Sequence, residues 1–91
     1  MPVPWPEWWN WELEITPHLE KRMVDRQFTE TDLRAMLEDA ENYRPDLEVG
    51  RWVIETRFRG VRWEIIVEPD LEDLLLVGVT AYPSEALGGP P

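Results

Sequence analysis

The sequence predicts a two-layer α+β domain in which two helices cover one face of an antiparallel sheet, with the order β-α-α-β-β-β. Alternating apolar and polar residues predict strands over 51–58 and 61–68, joined by Arg59-Gly60, a pair suited to a two-residue hairpin loop. A nearly all-apolar run over 74–82 predicts a strand that is buried on both faces. Two threonines stand where helical patterns begin, and together these signals define the fold class.

The opening strand and first helix follow one another directly. Residues 11–16 alternate apolar and polar, which predicts a half-buried strand with Trp11 as its first inward residue. Thr16 is the expected N-cap of the first helix, and Pro17 suits its first helical position. We expect this helix to end near Arg26.

The second helix has the best-defined start in the chain. Thr29 and Asp32 have the spacing of a capping box, and an apolar stripe at helical spacing follows them. We expect the helix to end near Asn42 and residues 43–46 to form a loop.

Length and composition fit one small domain of 91 residues. We expect a Pro/Trp-rich extension over 1–10, the α+β domain over 11–82 and a flexible tail over 83–91. The chain has no cysteine and one histidine, which excludes thiolate and histidine-cluster metal sites, so we expect no metal or cofactor. Because the sequence contains neither a membrane-length apolar run nor a leader pattern, we expect a cytoplasmic protein with no membrane partner.

The formal charge of −10 argues against a sequence-independent coat on nucleic acid, which needs excess cations to displace counterions. All nine basic residues nevertheless fall between Lys21 and Arg62, so the sequence still allows one face of the molecule to be locally basic. The carboxylates of Glu64 and Glu68 have no basic neighbour in the pattern, and we interpret them as solvated surface.

A row of polar residues marks the first helix. His18, Arg22 and Arg26 recur every four residues and therefore lie along one side of a helix. Leu19 and Met23 form the adjacent apolar stripe, so the row borders the buried face, where a cleft between helix and sheet would open. His18 carries the chain's single imidazole and is therefore the candidate base.

The same row also fits a structural role. In that alternative His18 packs locally, and the two arginines pair with carboxylates of Glu20, Asp25 or Glu30. The spacing alone does not decide between a site and a local polar network.

A longer pattern extends from Thr16 to Tyr82. Its pieces are Thr16-Pro17-His18, Arg22-Met23, Arg26, the run 28–33, Tyr43-Arg44, Arg51, the strand 61–67 and the closing Val79-Thr80-Ala81-Tyr82. In these pieces the chain resembles a family of small prokaryotic domains of unknown function related to RelE-type toxins. The resemblance implies a RelE/barnase-like fold. It also implies metal-independent RNA cleavage by the toxin of a toxin–antitoxin pair, with RNA or the ribosome and an antitoxin as partners.

RNA cleavage without metal needs a base for the ribose 2′-hydroxyl, cationic donors for the charge that develops on the phosphate, and an acid for the 5′-oxygen. The candidate catalytic residues are His18 as base, Arg22 and Arg26 as phosphate donors, and Tyr82 as a late hydrogen-bond or proton donor. Arg44 and Arg51 are the candidate substrate-binding cations.

The alternative function is a non-catalytic interaction module, an inactive relative that binds a protein partner through its Trp-rich N-terminal surface. Trp8 and Trp9 are then the partner-binding residues, and the partner can also be a second copy of the chain, which would form an oligomer. The same two rings also fit a lid packed over the sheet. Stacking of bases on them is a third interpretation, which the neighbouring carboxylates disfavour.

Overall fold

A computed structural model describes residues 4–84 and contains two helices packed on one face of a five-stranded mixed sheet. In chain order the elements are a 3₁₀ helix Glu7–Asn10, β1 (Glu12–Ile15), α1 (Pro17–Asp25), α2 (Glu30–Glu38), β2 (Asn42–Pro45), β3 (Trp52–Phe58), β4 (Val61–Asp70) and β5 (Leu75–Pro83). The strand order is β1-β5-β4-β3-β2. The predicted α+β class with two helices on a sheet is confirmed.

Both helix starts agree with the prediction. The Thr16 hydroxyl accepts the amide N–H of Leu19 at 3.1 Å and donates to the carbonyl of Val79 at 3.1 Å, so it caps α1 and ties α1 to β5. Thr29 and Asp32 form a reciprocal capping box at the start of α2. The hydrogen bond from the Thr29 backbone lowers the pKa of the Asp32 carboxyl.

The prediction of an all-antiparallel sheet was wrong. β1 lies parallel to β5, whereas the other three strand pairs are antiparallel. Two helices connect β1 to the rest of the sheet, so no tight turn fixes its direction, and the alternation within a strand carries no information about its neighbour.

The region predicted as a loop over 43–46 contains β2, an edge strand that pairs with β3. α2 ends at Glu38 rather than near Asn42, and the Glu41 amide then donates to the Glu55 carbonyl at 2.8 Å, which joins the chain to the sheet. A four-residue strand that ends in proline is compatible with a sheet edge but gives too short a pattern to recognise.

The α+β domain extends one residue beyond its predicted C-terminal boundary at residue 82. Pro83, assigned to the flexible tail, is the last residue of β5. The remainder of that predicted tail from residue 85 onward lies outside the described residues, as do residues 1–3 of the predicted N-terminal extension.

The core lies between the helices and the covered side of the sheet, here called the inner face; the opposite side is the outer face. The predicted alternation is confirmed, since Ile54 and Ile65 are fully buried in the core together with Leu19 of α1. β5 is buried on the inner face but only half-buried on much of the outer face. The prediction that this strand is buried on both faces is therefore correct for the inner face alone.

Gly78 allows α1 to lie directly on β5. A Cβ atom at this position would lie 2.7 Å from Cδ2 of Leu19, closer than side-chain carbons approach. The absence of a side chain on Gly78 therefore makes room for the buried Leu19 side chain.

Gly78→Ala is expected to lower the free energy of unfolding by about 1–3 kcal/mol, because the new methyl group overlaps Leu19, which is fully buried. Urea unfolding followed by tryptophan fluorescence measures the loss. In a Leu19→Ala background the same substitution should cost less, since the overlapping atoms are gone. Equal costs in the two backgrounds would contradict this role of Gly78.

Candidate functional site

His18 and Arg22 lie on α1 and Arg26 is its C-cap residue, at the spacing that the sequence predicts; the three are here called the α1 row. His18 and Arg26 are exposed and Arg22 is half-buried, beside the buried Leu19 and Met23. Within residues 4–84 the structure records no side-chain hydrogen bond or ion pair for any member of the row. The row is therefore a set of polar groups whose side chains remain available to a ligand.

The structural alternative for this row required its arginines to pair with nearby carboxylates. Glu30 pairs instead with Arg34 at 2.9 Å, along α2. The ion pairs found in the described part of the chain do not include Glu20 or Asp25. The row is thus not held by the local pairing that this alternative proposed.

Arg44 and Tyr82 lie together on the outer face, joined through Glu64. The Arg44 guanidinium donates to Glu55 at 2.9 Å and to Glu64 at 3.0 Å, and the Tyr82 hydroxyl donates to the other oxygen of Glu64 at 3.0 Å. The hydrogen bond to Glu55 raises the pKa of Arg44. Glu64 is only 20% exposed, so its interpretation as solvated surface was wrong.

Arg51 is also held between two carboxylates. It lies 2.7 Å from Glu48 and 3.0 Å from Glu68, and the hydrogen bond to Glu68 raises its pKa. Glu68 therefore has the basic neighbour that its sequence pattern did not reveal. The guanidinium groups of Arg44 and Arg51 thus each face two carboxylates, whose negative charge opposes an incoming phosphate.

The structure does not bring Tyr82 to the α1 row. β5 contains a register shift, since Ile66 pairs with Thr80 whereas Val67 pairs with Gly78. The extra residue, Val79, forms a bulge that reverses the alternation beyond it. Gly78 consequently lies on the inner face under α1, while Tyr82 lies on the outer face.

The six predicted site residues thus form three separate groups: the α1 row, Arg44 with Tyr82, and Arg51. The roles assigned to them stay predictions. The sequence analysis did not identify the carboxylates that pair with these arginines, above all Glu55 and Glu48. The strand alternation contained part of this signal, because it placed Glu55 on the face opposite the core.

The N-terminal tryptophans pack on one another and on the sheet. Trp5 stacks on Trp9 with ring centroids 4.2 Å apart, and Trp8 lies 5.8 Å from Trp52. The Tyr43 hydroxyl donates to the Pro4 carbonyl at 3.1 Å, and the Tyr43 ring contacts the same cluster. Trp8 and Trp9 are half-buried and pack against the core, which is the arrangement that the lid interpretation describes.

A cleft of about 510 Å³ lies between this N-terminal segment and α2. Its apolar lining consists of Trp9, Trp11, Leu13, Leu37 and Leu76. Trp11, predicted as an inward residue, is half-buried against the core and also borders this cleft. Polar side chains complete the lining, namely Asn10, Glu12, Arg34 and Glu38.

Residues 4–84 hold no cluster of three or more histidine, aspartate or glutamate side chains arranged to bind a metal ion. Neither helix in this range is long and apolar enough to cross a membrane. Comparison of the chain with family models, curated proteins and solved structures finds no match.

Burial, reinforced by the hydrogen bond to Glu64, raises the pKa of the Tyr82 phenol from 10.0 to about 12. The unfolded chain therefore loses this proton at lower pH than the folded chain does. Stability should be fully present below pH 10 and should fall as the pH rises toward 12. Tyr82→Phe should remove this part of the alkaline loss, measured by urea unfolding at successive pH values.

Tyr43→Phe is the matched control for this experiment, because it removes the other tyrosine hydroxyl and leaves Tyr82 in place. An alkaline stability profile identical in wild type and Tyr82→Phe would show that the phenol is not protected in this way.

Proposed function

We propose that the protein is a metal-independent, RelE-like ribonuclease, the toxin of a toxin–antitoxin pair, whose centre is the α1 row. The observation that carries the proposal is the pairing of the arginines. Arg44 and Arg51 are each held by two carboxylates, whereas no ion pair in the described residues involves Arg22 or Arg26. Phosphate can therefore approach α1 without first breaking an ion pair.

Charge explains why this distinction matters in an acidic protein. A net charge of −10 repels RNA at long range, so binding needs a local group of uncompensated cations. Lys21 belongs to the same helix and, within residues 4–84, also has no ion pair. α1 and its C-cap thus carry three cations, two carboxylates (Glu20 and Asp25) and the chain's single histidine, which leaves a small excess of positive charge.

The chemistry assigned to the row is transesterification. The imidazole of His18 takes the proton of a ribose 2′-hydroxyl, whose oxygen then attacks the adjacent phosphorus. The bond from phosphorus to the 5′-oxygen breaks and leaves a 2′,3′-cyclic phosphate, while Arg22 and Arg26 stabilise the negative charge that develops on the phosphate. Because Tyr82 lies on the outer face, the proton for the 5′-oxygen comes from water in this scheme.

His18→Ala is expected to lower the rate of RNA cleavage by about 10²–10⁴-fold, because the reaction loses its general base. The measurement uses two substrates. End-labelled single-stranded RNA is cleaved in excess EDTA, since the proposed reaction needs no metal, and translating ribosomes are kept in Mg²⁺ because EDTA would dissociate them. Arg22→Ala/Arg26→Ala should also slow cleavage, through loss of phosphate contacts.

Arg34→Ala is the matched control, an exposed helical arginine that is already paired with Glu30. It should cleave both substrates at the wild-type rate. The ribonuclease proposal fails if wild type cleaves neither substrate, or if His18→Ala cleaves them as fast as wild type.

A second candidate function is the non-catalytic interaction module, which the cleft beside the Trp-rich segment favours. Trp9 and Trp11 supply aromatic area, and Leu37 supplies an apolar wall on α2. An apolar side chain of a partner protein would fill this space and exclude water from it.

The neutral fluorophore N-phenyl-1-naphthylamine tests whether the cleft accepts an apolar group. Trp9→Ala is expected to weaken its binding by about tenfold, through loss of aromatic contact area. Val24→Ala changes an exposed apolar residue of α1 and is the control. Thermal unfolding of both variants checks the fold, because Trp9 also stacks on Trp5. Equal binding by wild type and Trp9→Ala would count against the cleft as a partner site.

A further inference from the structure

The tetrapeptide Pro-Asp-Leu-Glu occurs twice in the chain, at 45–48 and at 69–72. The first copy starts at the last residue of β2, and the second starts one residue before the end of β4. Both copies show the same burial, with a half-buried aspartate followed by an exposed leucine and an exposed glutamate. The repeat therefore places an exposed leucine and an exposed glutamate after a strand at two places, although only the second copy has its aspartate within a strand.

Both copies lie at the same end of the sheet. Trp52, at the start of β3, pairs with Val67 near the end of β4, and Asp70 at the end of β4 pairs with Leu75 of β5. The loop from β2 to β3 and the turn from β4 to β5 therefore leave the same sheet end. We call this surface, residues 46–50 and 70–74, the PDLE end.

The PDLE end holds most of the exposed large apolar side chains of the described residues. Five such side chains are exposed in residues 4–84, and four of them belong to the PDLE end: Leu47, Val49, Leu71 and Leu74. The fifth, Val24, lies on α1. Single exposed apolar residues are ordinary, but four of them in two loops that leave the same end of the sheet make this end a candidate interaction surface.

The charges that surround these side chains are acidic. The two loops carry Asp46, Glu48, Asp70, Glu72 and Asp73 and no basic residue. Arg51, which follows the first loop, is compensated by Glu48 and by Glu68 of β4. A partner that complements this surface must bring apolar side chains together with positive charge.

We propose that the PDLE end docks a basic amphipathic segment of a partner protein. Apolar side chains of that segment contact Leu47 and Leu71, and its lysines and arginines face the surrounding carboxylates. The carboxylates of the two loops oppose an anionic lipid surface, a nucleic acid and a second copy of the same end, all of which bring like charge. The proposal does not depend on the ribonuclease proposal, because α1 contributes no residue to the PDLE end.

A synthetic amphipathic helix of leucine and lysine is the probe, with binding measured by fluorescence anisotropy of the labelled peptide. Leu47→Ser/Leu71→Ser is expected to weaken binding by about tenfold or more, through loss of the central apolar contacts. Val24→Ser is the matched control, because Val24 and Leu71 are each 74% exposed, and it should bind as wild type does.

Two further measurements separate apolar docking from simple charge attraction. A serine–lysine peptide of equal charge should bind the wild-type chain about as weakly as the leucine–lysine peptide binds the double variant. Added salt should weaken binding of the leucine–lysine peptide to wild type, because the carboxylates contribute. Unfolding curves and, where cleavage is found, the rate of RNA cleavage should be the same in wild type and the double variant.

Three outcomes would overturn the proposal. The first is equal affinity of wild type and Leu47→Ser/Leu71→Ser for the leucine–lysine peptide. The second is binding of phosphatidylcholine vesicles without binding of the peptide, which would make the surface a lipid contact. The third is a wild-type dimer in sedimentation that the double variant abolishes, which would make a second copy the occupant.

Discussion

The packing of Leu19 on Gly78 is the contact on which the placement of the other groups depends. It joins α1 to β5 at the point where the Thr16 hydroxyl also binds the Val79 carbonyl, so the helix is fixed in position and in rotation. His18 lies between Thr16 and Leu19, the two residues that hold this end of the helix on β5, and its side chain is exposed. The helical repeat then places Arg22, which is half-buried, and the C-cap residue Arg26 along the same side of the helix.

The bulge in β5 has an equally direct effect on the sheet. By strict alternation Tyr82 would share the inner face with Gly78, but the extra residue at Val79 turns it to the outer face. There its hydroxyl joins the Arg44–Glu64 pair. One irregularity therefore separates the residue predicted as proton donor from the residue predicted as base.

Ion pairing divides the charged surface into parts with different capacities. Arg44 and Arg51 are each paired with two carboxylates, whereas within residues 4–84 no ion pair involves the cations of α1 or its C-cap. The PDLE end combines carboxylates with exposed leucines. An overall charge of −10 conceals this division. The proposed contacts with RNA and with a basic partner segment use separate parts of the surface for this reason.

Features that depend on neighbouring residues could be predicted from the sequence, whereas features that depend on contacts between distant residues could not. The capping box at Thr29 depends on residues within one helical turn. The hairpin at Arg59-Gly60, where both residues have positive φ, likewise depends on adjacent residues. The direction of β1, the short β2 and the carboxylate partners of Arg44 depend on strand neighbours that are distant in sequence. The all-apolar run of β5 also hides which residues face α1, because it shows no alternation.

The most direct test of the central claim is an NMR titration with a short RNA whose cleavage-site ribose lacks the 2′-hydroxyl, so that it binds without reacting. The side-chain signals of His18 and the Nε–H signals of Arg22 and Arg26 should shift together as RNA is added. The Nε–H signals of Arg44 and Arg51 should stay in place, because carboxylates already hold them. Shifts confined to Arg44 and Arg51, or no shift in the α1 row, would contradict the account.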